Sequence, residues 1–451
     1  MSNIFTQSVS PQFTKQSLSE FFIDPMFMGE DVRGAITVRT DIKGTERLNK
    51  ISRPSMITKP KTAPGFTPGG GFALTHQDIT VKPMAIEFEQ NGREFWGSVV
   101  EQMLASGYKE DDVENMKNPD IWNKIILPVI AQAGQQDLIR QMWFADMQQN
   151  VLDSSKVPTG VIDENYSGYT GFFSHFINAL RSGTIPAAQN ISPSVASAGT
   201  KQKIVLTLSV TSAPTSAFVT INDQTFSEDY DTNAATTVGN WLTAHKATVE
   251  TLWGAHGVIV TNSGAALTIE AKVAGAKFNF SYGVVGGTAS WAESGAVAAV
   301  APGALSTDST DSTLEQMIDI MPAEMLELDP VFTISRSMWR NLLKTWKALG
   351  TEMANMIQFK GMQTPSYEGI PILIRPDWDL WIAALGGVLP NRAVLAPQKN
   401  LLFGTDGLLD NEDVESWYNQ DLQLRRYRVQ YKAQTAYLHK ELIVTAGLSI
   451  A

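Results

Sequence analysis

The sequence predicts an α+β protein interrupted by an inserted β-rich domain, and three observations predict it. An apolar-periodic stretch over residues 118–152 demands a long helix, and short β-like runs lie on both sides of it. Composition also shifts abruptly near Ile191 and back near Ser306. At 451 residues the chain is too long for one ordinary core and divides into two or three domains. Apolar residues make up 43% and charged ones 18%, the balance of an ordinary globular protein. No run of about 18 uncharged apolar residues offers a membrane span. The start MSNIFTQSVSPQFTKQ has neither the basic start nor the apolar stretch of a signal peptide, which predicts folding in the cytosol.

Residues 1–50 carry Phe13, Leu18, Phe21, Phe22 and Phe27 without a sustained period and read as an arm. Residues 51–95 are extended in character. Pro54, Pro60, Pro64, Pro68 and the Gly69-Gly70-Gly71 turn separate two limbs, and in the second Phe72, Leu74, Ile79 and Val81 alternate with polar neighbours. The tip, PGFTPGGGFALTHQDITVKP, holds few core-forming residues, and an isolated two-stranded hairpin is marginal in water. Pro64, Phe66, Gly69, Gly70 and Gly71 are therefore expected to meet a surface outside their own domain. Within residues 96–190, Asn118-Pro119-Asp120 marks a helix start. Trp122, Ile125, Ile126, Val129, Ile130 and Ala133 keep helical spacing, continued by Leu138, Met142 and Met147. Pro128 should bend this helix, which at roughly 30 residues would be about 45 Å long and serve as a spine.

Residues 191–306 turn small, polar and β-rich. KIVLTLSV, AFVTIND, GVIVTNS, ALTIEAK and KFNFSYGV read as strands, with one helix near 236–253. The flanks ISPSVASAGT and VAAVAPGALSTDSTDST are linkers by composition, so this insertion of roughly 110 residues has the size of an independent fold. Residues 307–451 are mixed. DSTLEQMIDIMPAEML is an amphipathic helix, DPVFTIS a strand and RSMWRNLLKTWKALGTEMANM a second helix. EGIPILIRP, AVLAPQKNLLFG, LRRYRVQYKAQTAY and KELIVTAGL supply further strands. In LRRYRVQYKAQTAY, Tyr427, Val429, Tyr431 and Ala433 alternate with Arg426, Arg428, Gln430 and Lys432, giving one apolar and one basic face.

Catalytic chemistry finds no foothold. Zero cysteines remove disulfides, thiolate ligands and cysteine nucleophiles together. The five histidines (76, 175, 245, 256 and 439) lack the i, i+4 spacing of a helical metal site. Gly69-Gly70-Gly71 lacks the Lys-Ser/Thr of a phosphate loop, and Asp308-Ser-Thr-Asp311 lacks the glycine and closing glutamate of a calcium loop. There is no G-x-S-x-G elbow and no H-E-x-x-H. The expectation is a protein that is not an enzyme and takes no cofactor or metal. A net charge of −11 argues against coating DNA. Arg425, Arg426 and Arg428 then read as partners in ion pairs between subunits or as a solvated face, and Trp339, Trp346, Trp378 and Trp381 as core and interface anchors.

The order of elements resembles the major capsid protein of tailed double-stranded-DNA phages, the Hong Kong phage capsid fold. DPVFTISRSMWRNLL looks like that family's axial-domain strand and helix. YEGIPILIRPDW, APQKNLLFGTD and ELIVTAG are similar to its later strands, and DPMFMGEDVRGAITVRTDIKGTERLNKI resembles the arm of crAss-like and related Bacteroidetes phages. The resemblance implies an N-terminal arm (1–50), an extended loop (51–95), a spine helix with peripheral domain (96–190), an inserted surface domain (191–306) and an axial domain with returning peripheral strands (307–451). It implies a homo-oligomer of hexamers and pentamers that encloses double-stranded DNA without sequence-specific binding or a membrane. Portal and separate scaffold or decoration proteins are the implied partners, since no scaffolding domain precedes the arm. The shell would be part of the virion, assembled in the bacterial cytoplasm. A tail-tube or sheath subunit is the alternative with similar β modules, and an enzyme with an unrecognised site is a second.

Overall fold

The computed structural model describes residues 36–51, 74–90, 127–350, 356–359, 362–406, 414–419 and 424–448. Strands β1 (Thr37–Arg39), β2 (Thr45–Ile51), β3 (Leu74–Thr80) and β4 (Lys82–Gln90) come first, and helix α1 (Leu127–Phe144) follows. The start signal expected at 118–120 lies outside the described residues, and Pro128 has only Leu127 before it among them. The helix stops at Phe144, short of the expected Leu152. Beyond it the Asp146 N–H donates to Tyr166 O (2.8 Å), and the Asp146 carboxylate accepts from the Gln148 N–H (2.9 Å). Those bonds divert the backbone from the helical ladder, and β5 (Asn150–Leu152) pairs with β6 (Pro158–Ile162) instead.

Helix α2 (Phe172–Arg181) buries Phe172, Phe173, Phe176 and Leu180 at helical spacing and leads through a 3₁₀ turn to β7 (Asn190–Ile191). The inserted stretch then supplies β8 (Lys203–Ser212), β9 (Ser216–Ile221), β10 (Gln224–Asp229), α3 (Ala234–Val249), β11 (Val258–Ser263), β12 (Ala266–Ala271), β13 (Phe280–Val285) and β14 (Thr288–Val297). Asn233 starts α3 by accepting the Thr236 N–H (2.9 Å) on its side-chain oxygen. Two antiparallel sheets result, ordered β10-β9-β13 and β11-β12-β8-β14. Their inward residues, among them Ile204, Leu206, Leu208, Val219, Ile221, Val260, Leu267 and Ile269, form one core with Trp241 of α3, and that core also takes in Val388 and Leu389. The flanking linkers are paired, through antiparallel bridges Val195↔Leu305 and Thr200↔Val300.

The stretch STDST is not the linker its composition suggests, because α4 (Ser309–Ile320) starts inside it. Asp308 holds the turn at φ +58°, its carboxylate accepts the Thr345 hydroxyl (2.8 Å), and Asn341 accepts the Thr310 N–H (3.0 Å). Pro322 then separates α4 from α5 (Ala323–Leu326), where a single helix was expected. Next come β15 (Pro330–Ser335), α6 (Arg336–Leu349), β16 (Met356–Phe359), β17 (Met362–Tyr367), β18 (Ile370–Arg375), α7 (Asp377–Ala384) and β19 (Ala393–Pro397). The chain closes with β20 (Leu401–Thr405), β21 (Val414–Asn419), β22 (Leu424–Tyr437) and β23 (Val444–Ala446). The architecture is α+β.

By contact density the chain divides into two units, Met1–Ile139 with Asn400–Leu438, and Arg140–Lys399 with His439–Ala451. In the second unit a seven-stranded mixed sheet runs β16-β17-β18-β15-β19-β23-β7. β15 is buried along its whole length, as suits a strand inside a sheet covered on both faces. An aromatic cluster closes this unit: Trp378 lies 4.8 Å from Trp143 and 4.9 Å from Phe173, ring to ring, and Trp143 and Trp378 are fully buried. Trp346 is buried against a half-buried Trp339 at 5.6 Å, and half-buried Trp381 meets Phe144 at 5.7 Å. In the first unit the sheet order is β1-β20-β22-β21, with β4 also paired to β22, and β2 pairs β3 as a separate hairpin. The stretch AVLAPQKNLLFG, read as one element in the sequence, is cut at a 3₁₀ turn. Its first half, β19, belongs to the second unit and its second half, β20, to the first.

Candidate intersubunit surface

The β2–β3 hairpin is anchored at one end only. Its register runs from Thr45↔Thr80 at the base to Ile51↔Leu74, the last described pair before the tip. At the base Leu48 and Ile79 are buried with Ile42, Val81, Leu402 and Ala436. Further out Leu74 is 68% exposed, although leucine in a strand ordinarily faces a core. Polar cross-strand pairs hold the limbs together. Arg47 donates to the Asp78 carboxylate at 3.0 and 3.2 Å and the Thr45 and Thr80 hydroxyls are 3.0 Å apart, while Arg39 of β1 pairs with Glu46 of the first limb at 2.5 Å. The Arg47 hydrogen bond holds the Asp78 carboxyl below the usual aspartate range.

The second feature is a charged row on the neighbouring sheet. In β22 the apolar residues Tyr427, Val429, Tyr431 and Ala433 are buried while Arg426 and Arg428 are half-exposed, the alternation expected of a strand with one covered face. Antiparallel register sets Arg426 opposite Glu89 and Arg428 opposite Glu87. The guanidiniums meet those carboxylates at 3.1 and 2.7 Å. From the other side β21 brings Trp417 opposite Arg426, and the Arg428 guanidinium sits 5.9 Å from the Trp417 ring centre. Beneath the charges Phe88 stacks on Tyr427 at 4.6 Å. The row borders an open depression of about 300 Å³, and Trp417, 40% exposed, stands at its edge. Lys432 continues the basic face, its ammonium 3.5 Å from the Asp406 carboxylate.

Among the expected contact residues, Pro64, Phe66, Gly69, Gly70 and Gly71 lie outside the described residues. Arg425 is placed only through its backbone, paired with Gln90 and Tyr418. Arg426 and Arg428 come together on one face, and their immediate ion-pair partners belong to their own chain rather than to a neighbour. Sequence reasoning missed Trp417, Glu87 and Glu89. The signal for the glutamates was present: KPMAIEFEQ carries carboxylates two apart, matching the spacing of Arg426 and Arg428 across an antiparallel pair. Among the described residues no group of three or more His, Asp or Glu is placed to hold a metal, and no helix is long and apolar enough to cross a membrane.

No protein-family model matches the chain, and no curated protein matches it. Solved structures do match along nearly its whole length. They are shells. The satellite phage P4 procapsid including the size determination (Sid) protein is similar at 10% identity, with 96% of this chain and 98% of that one covered and a TM-score of 0.41. The cyanophage A-1(L) capsid is similar at 8% identity, over 99% and 98% of the two chains, also at 0.41. The holo-SrpI encapsulin complex from Synechococcus elongatus PCC 7942 is similar at 7% identity, over 93% and 88%, at 0.35. At such identities and scores, function has to be read from the chain's own geometry.

Proposed function

We propose that the chain is a major capsid protein that self-assembles into the icosahedral shell enclosing a phage double-stranded DNA genome. The observation that carries the proposal is the β2–β3 hairpin. It is buried at its base and exposed toward its tip, with Leu74 turned to solvent, and a two-stranded ribbon of this kind gains stability only from a further surface. A neighbouring copy in a capsomer supplies one. In this reading Pro64, Phe66 and Gly69–Gly71 contact the neighbour, and the Arg425–Arg428 row forms part of a subunit boundary. The sequence wording of the arm, of β15 with α6 and of the closing strands supports the same assignment.

The remaining roles follow from the proposal. Residues 1–50 are the arm, 51–95 the extended loop, 96–190 the spine and peripheral domain, 191–306 a surface domain, and 307–451 the axial domain with its returning strands. Hexamers and pentamers assemble in the host cytoplasm with portal, scaffold and decoration proteins as separate chains, and the product is the virion shell. The protein contains its DNA by enclosure. That suits an acidic chain whose Arg426 and Arg428 already face carboxylates. The chain is not an enzyme in this reading.

Electron microscopy of the protein expressed alone and with its neighbouring genes tests the proposal. Closed shells are expected, and rings or tubes would replace the reading with that of a tail protein. Deleting residues 64–71 should leave a soluble, folded subunit that fails to form stable shells. Normal shells from the deletion would remove the tip from the subunit contact.

A further inference from the structure

The second unit contains a charged cavity that the shell assignment does not use. It holds about 40 Å³ and is lined by four parts of the chain: the end of α1 with the turn after it, helix α2, the 3₁₀ turn Gly254–His256 and the segment 385–392. Arg392 lines it. This residue is 4% exposed, and its Nε donates to Leu389 O (2.8 Å) while an Nη donates to Val388 O (3.3 Å). The guanidinium also packs on the faces of Phe173 (4.6 Å) and Phe144 (4.9 Å). Five N–H donors are available on a guanidinium, so two carbonyls leave donors to spare. No carboxylate pairs with Arg392 among the described residues.

The other charges on the wall are Arg181 and Asp146. Two guanidiniums against one carboxylate leave one positive charge on the wall, and of the two only Arg392 is buried, where a cation without a carboxylate is costly. Lys272 and Glu250, which feel Arg181 electrostatically, add one charge of each sign and do not change the sum. Gly254, at φ +54°, gives the cavity its room: a Cβ there would lie 3.0 Å from Asp146 Oδ2 and 3.3 Å from Gln149 Oε1. One water-sized species needs about 10–15 Å³, so the volume accepts a small ion and little else. Exposed Asn178, also on the wall, opens the cavity to exchange with solvent.

We propose that this cavity binds one small monovalent anion of halide size, held between Arg392 and Arg181. The ion would tie the inserted domain's Gly254–His256 turn to α2 and to the 385–392 segment, making the seating of that domain dependent on halide. Asp146 opposes the anion and limits the site to a single charge, which excludes sulfate and phosphate by charge as well as by size.

The test is thermal unfolding of the full-length chain, followed by tryptophan fluorescence, in sodium chloride, sodium bromide and sodium gluconate at matched ionic strength. Chloride and bromide are expected to raise the midpoint by about 2–4 °C over gluconate, as a ligand confined to the folded state does. Arg392→Met should abolish that difference. Should Arg392→Met fail to fold, Arg181→Gln at the rim decides, and at least half of the halide gain is expected to disappear. Equal midpoints in chloride and gluconate would mean that the cavity holds water only and would overturn the proposal. A halide gain unchanged in Arg181→Gln, or in a folded Arg392→Met, would overturn it equally.

Discussion

Reversing one charge in the β22 row separates its use as glue within the sheet from the proposed one as a boundary between subunits. In Arg428→Glu the new carboxylate faces Glu87 across one strand and stands in register with Glu415 across the other. The lost ion pair is short, at 2.7 Å, but its side chains are 41% and 55% exposed, so its contribution is about 0–1 kcal/mol. Like charges directly opposite cost a further ~0.2–1 kcal/mol each, and the contact with the Trp417 face contributes ~0.5–1 kcal/mol when exposed. The sum is a destabilisation of roughly 1–4 kcal/mol. A typical domain stability of about 5–15 kcal/mol absorbs that. The subunit therefore stays folded, and a large loss of assembly would come from a contact the row makes outside its own subunit.

Adding Glu87→Arg restores an alternating row and should return most of the lost stability, measured by denaturant unfolding below the assembly concentration. Assembly should behave differently. If the row also faces a neighbour, exchanging the signs leaves the subunit stable but mismatched against its partner, and light scattering with microscopy should show few shells. Full recovery of shells from the double variant would refute the intersubunit role and confine these arginines to their own sheet. Normal shells from Arg428→Glu alone, with DNA retention lost, would refute it in favour of a nucleic-acid role.

Three further outcomes are expected. Trp378→Ala should cost about 3–5 kcal/mol, the usual range for a fully buried aromatic, whereas Trp378→Phe should cost much less because the indole N–H has no hydrogen-bond partner; equal losses in unfolding assays would contradict this. Burial pushes the Lys272 ammonium down to about 8 from 10.5, so between those values the unfolded chain binds more protons than the folded one, and stability should rise with pH from about 8 to 10.5. Lys272→Met should flatten that rise, and an unchanged slope would contradict the assignment. Excising residues 203–297 with a short Gly/Ser linker should yield a piece that folds alone by circular dichroism, but the remaining chain should lose stability, because Val388 and Leu389 share the inserted core; burying each is worth about 1.5–3 kcal/mol, and an unchanged midpoint would show that the two residues find other cover.

Elements with strong periodicity were legible in the sequence. The alternation of Tyr427, Val429 and Tyr431 with arginines gave both the bounds and the buried face of β22, and five inserted strands announced themselves by β-branched runs. Two strands did not. β10 (QTFSED) is almost wholly polar, and β14 (TASWAESGAV) turns only Trp291 fully inward, so each, at the edge of its sheet, is held by a neighbour's hydrogen bonds rather than by apolar residues. The end of α1 was misplaced for the opposite reason. Met147 keeps the helical spacing, yet the backbone at Asp146 had a better partner in Tyr166, and nothing local reveals a bond to a residue 20 positions on.

The charged row shows where such reading stops. Alternation tells which face of β22 is basic, but the partner of that face depends on strand register. Arg428 and Glu87 are 341 residues apart in the chain. The Glu87 and Glu89 carboxylates, two apart, match Arg428 and Arg426 only because β4 runs antiparallel to β22. A shift of one residue would turn both glutamates to the opposite face and leave the arginines unpaired. With the register as it stands, the arginines are neutralised at home while still 36–41% exposed. In the proposed shell a neighbouring subunit approaching this row would meet an alternating pattern of both signs, not a bare positive patch. Such a charge-balanced pattern offers nucleic acid no net attraction, whereas against a complementary protein edge it fixes alignment through like-charge clashes at every wrong register. That is the property a repeated subunit boundary requires, and the paired substitutions at 428 and 87 test it.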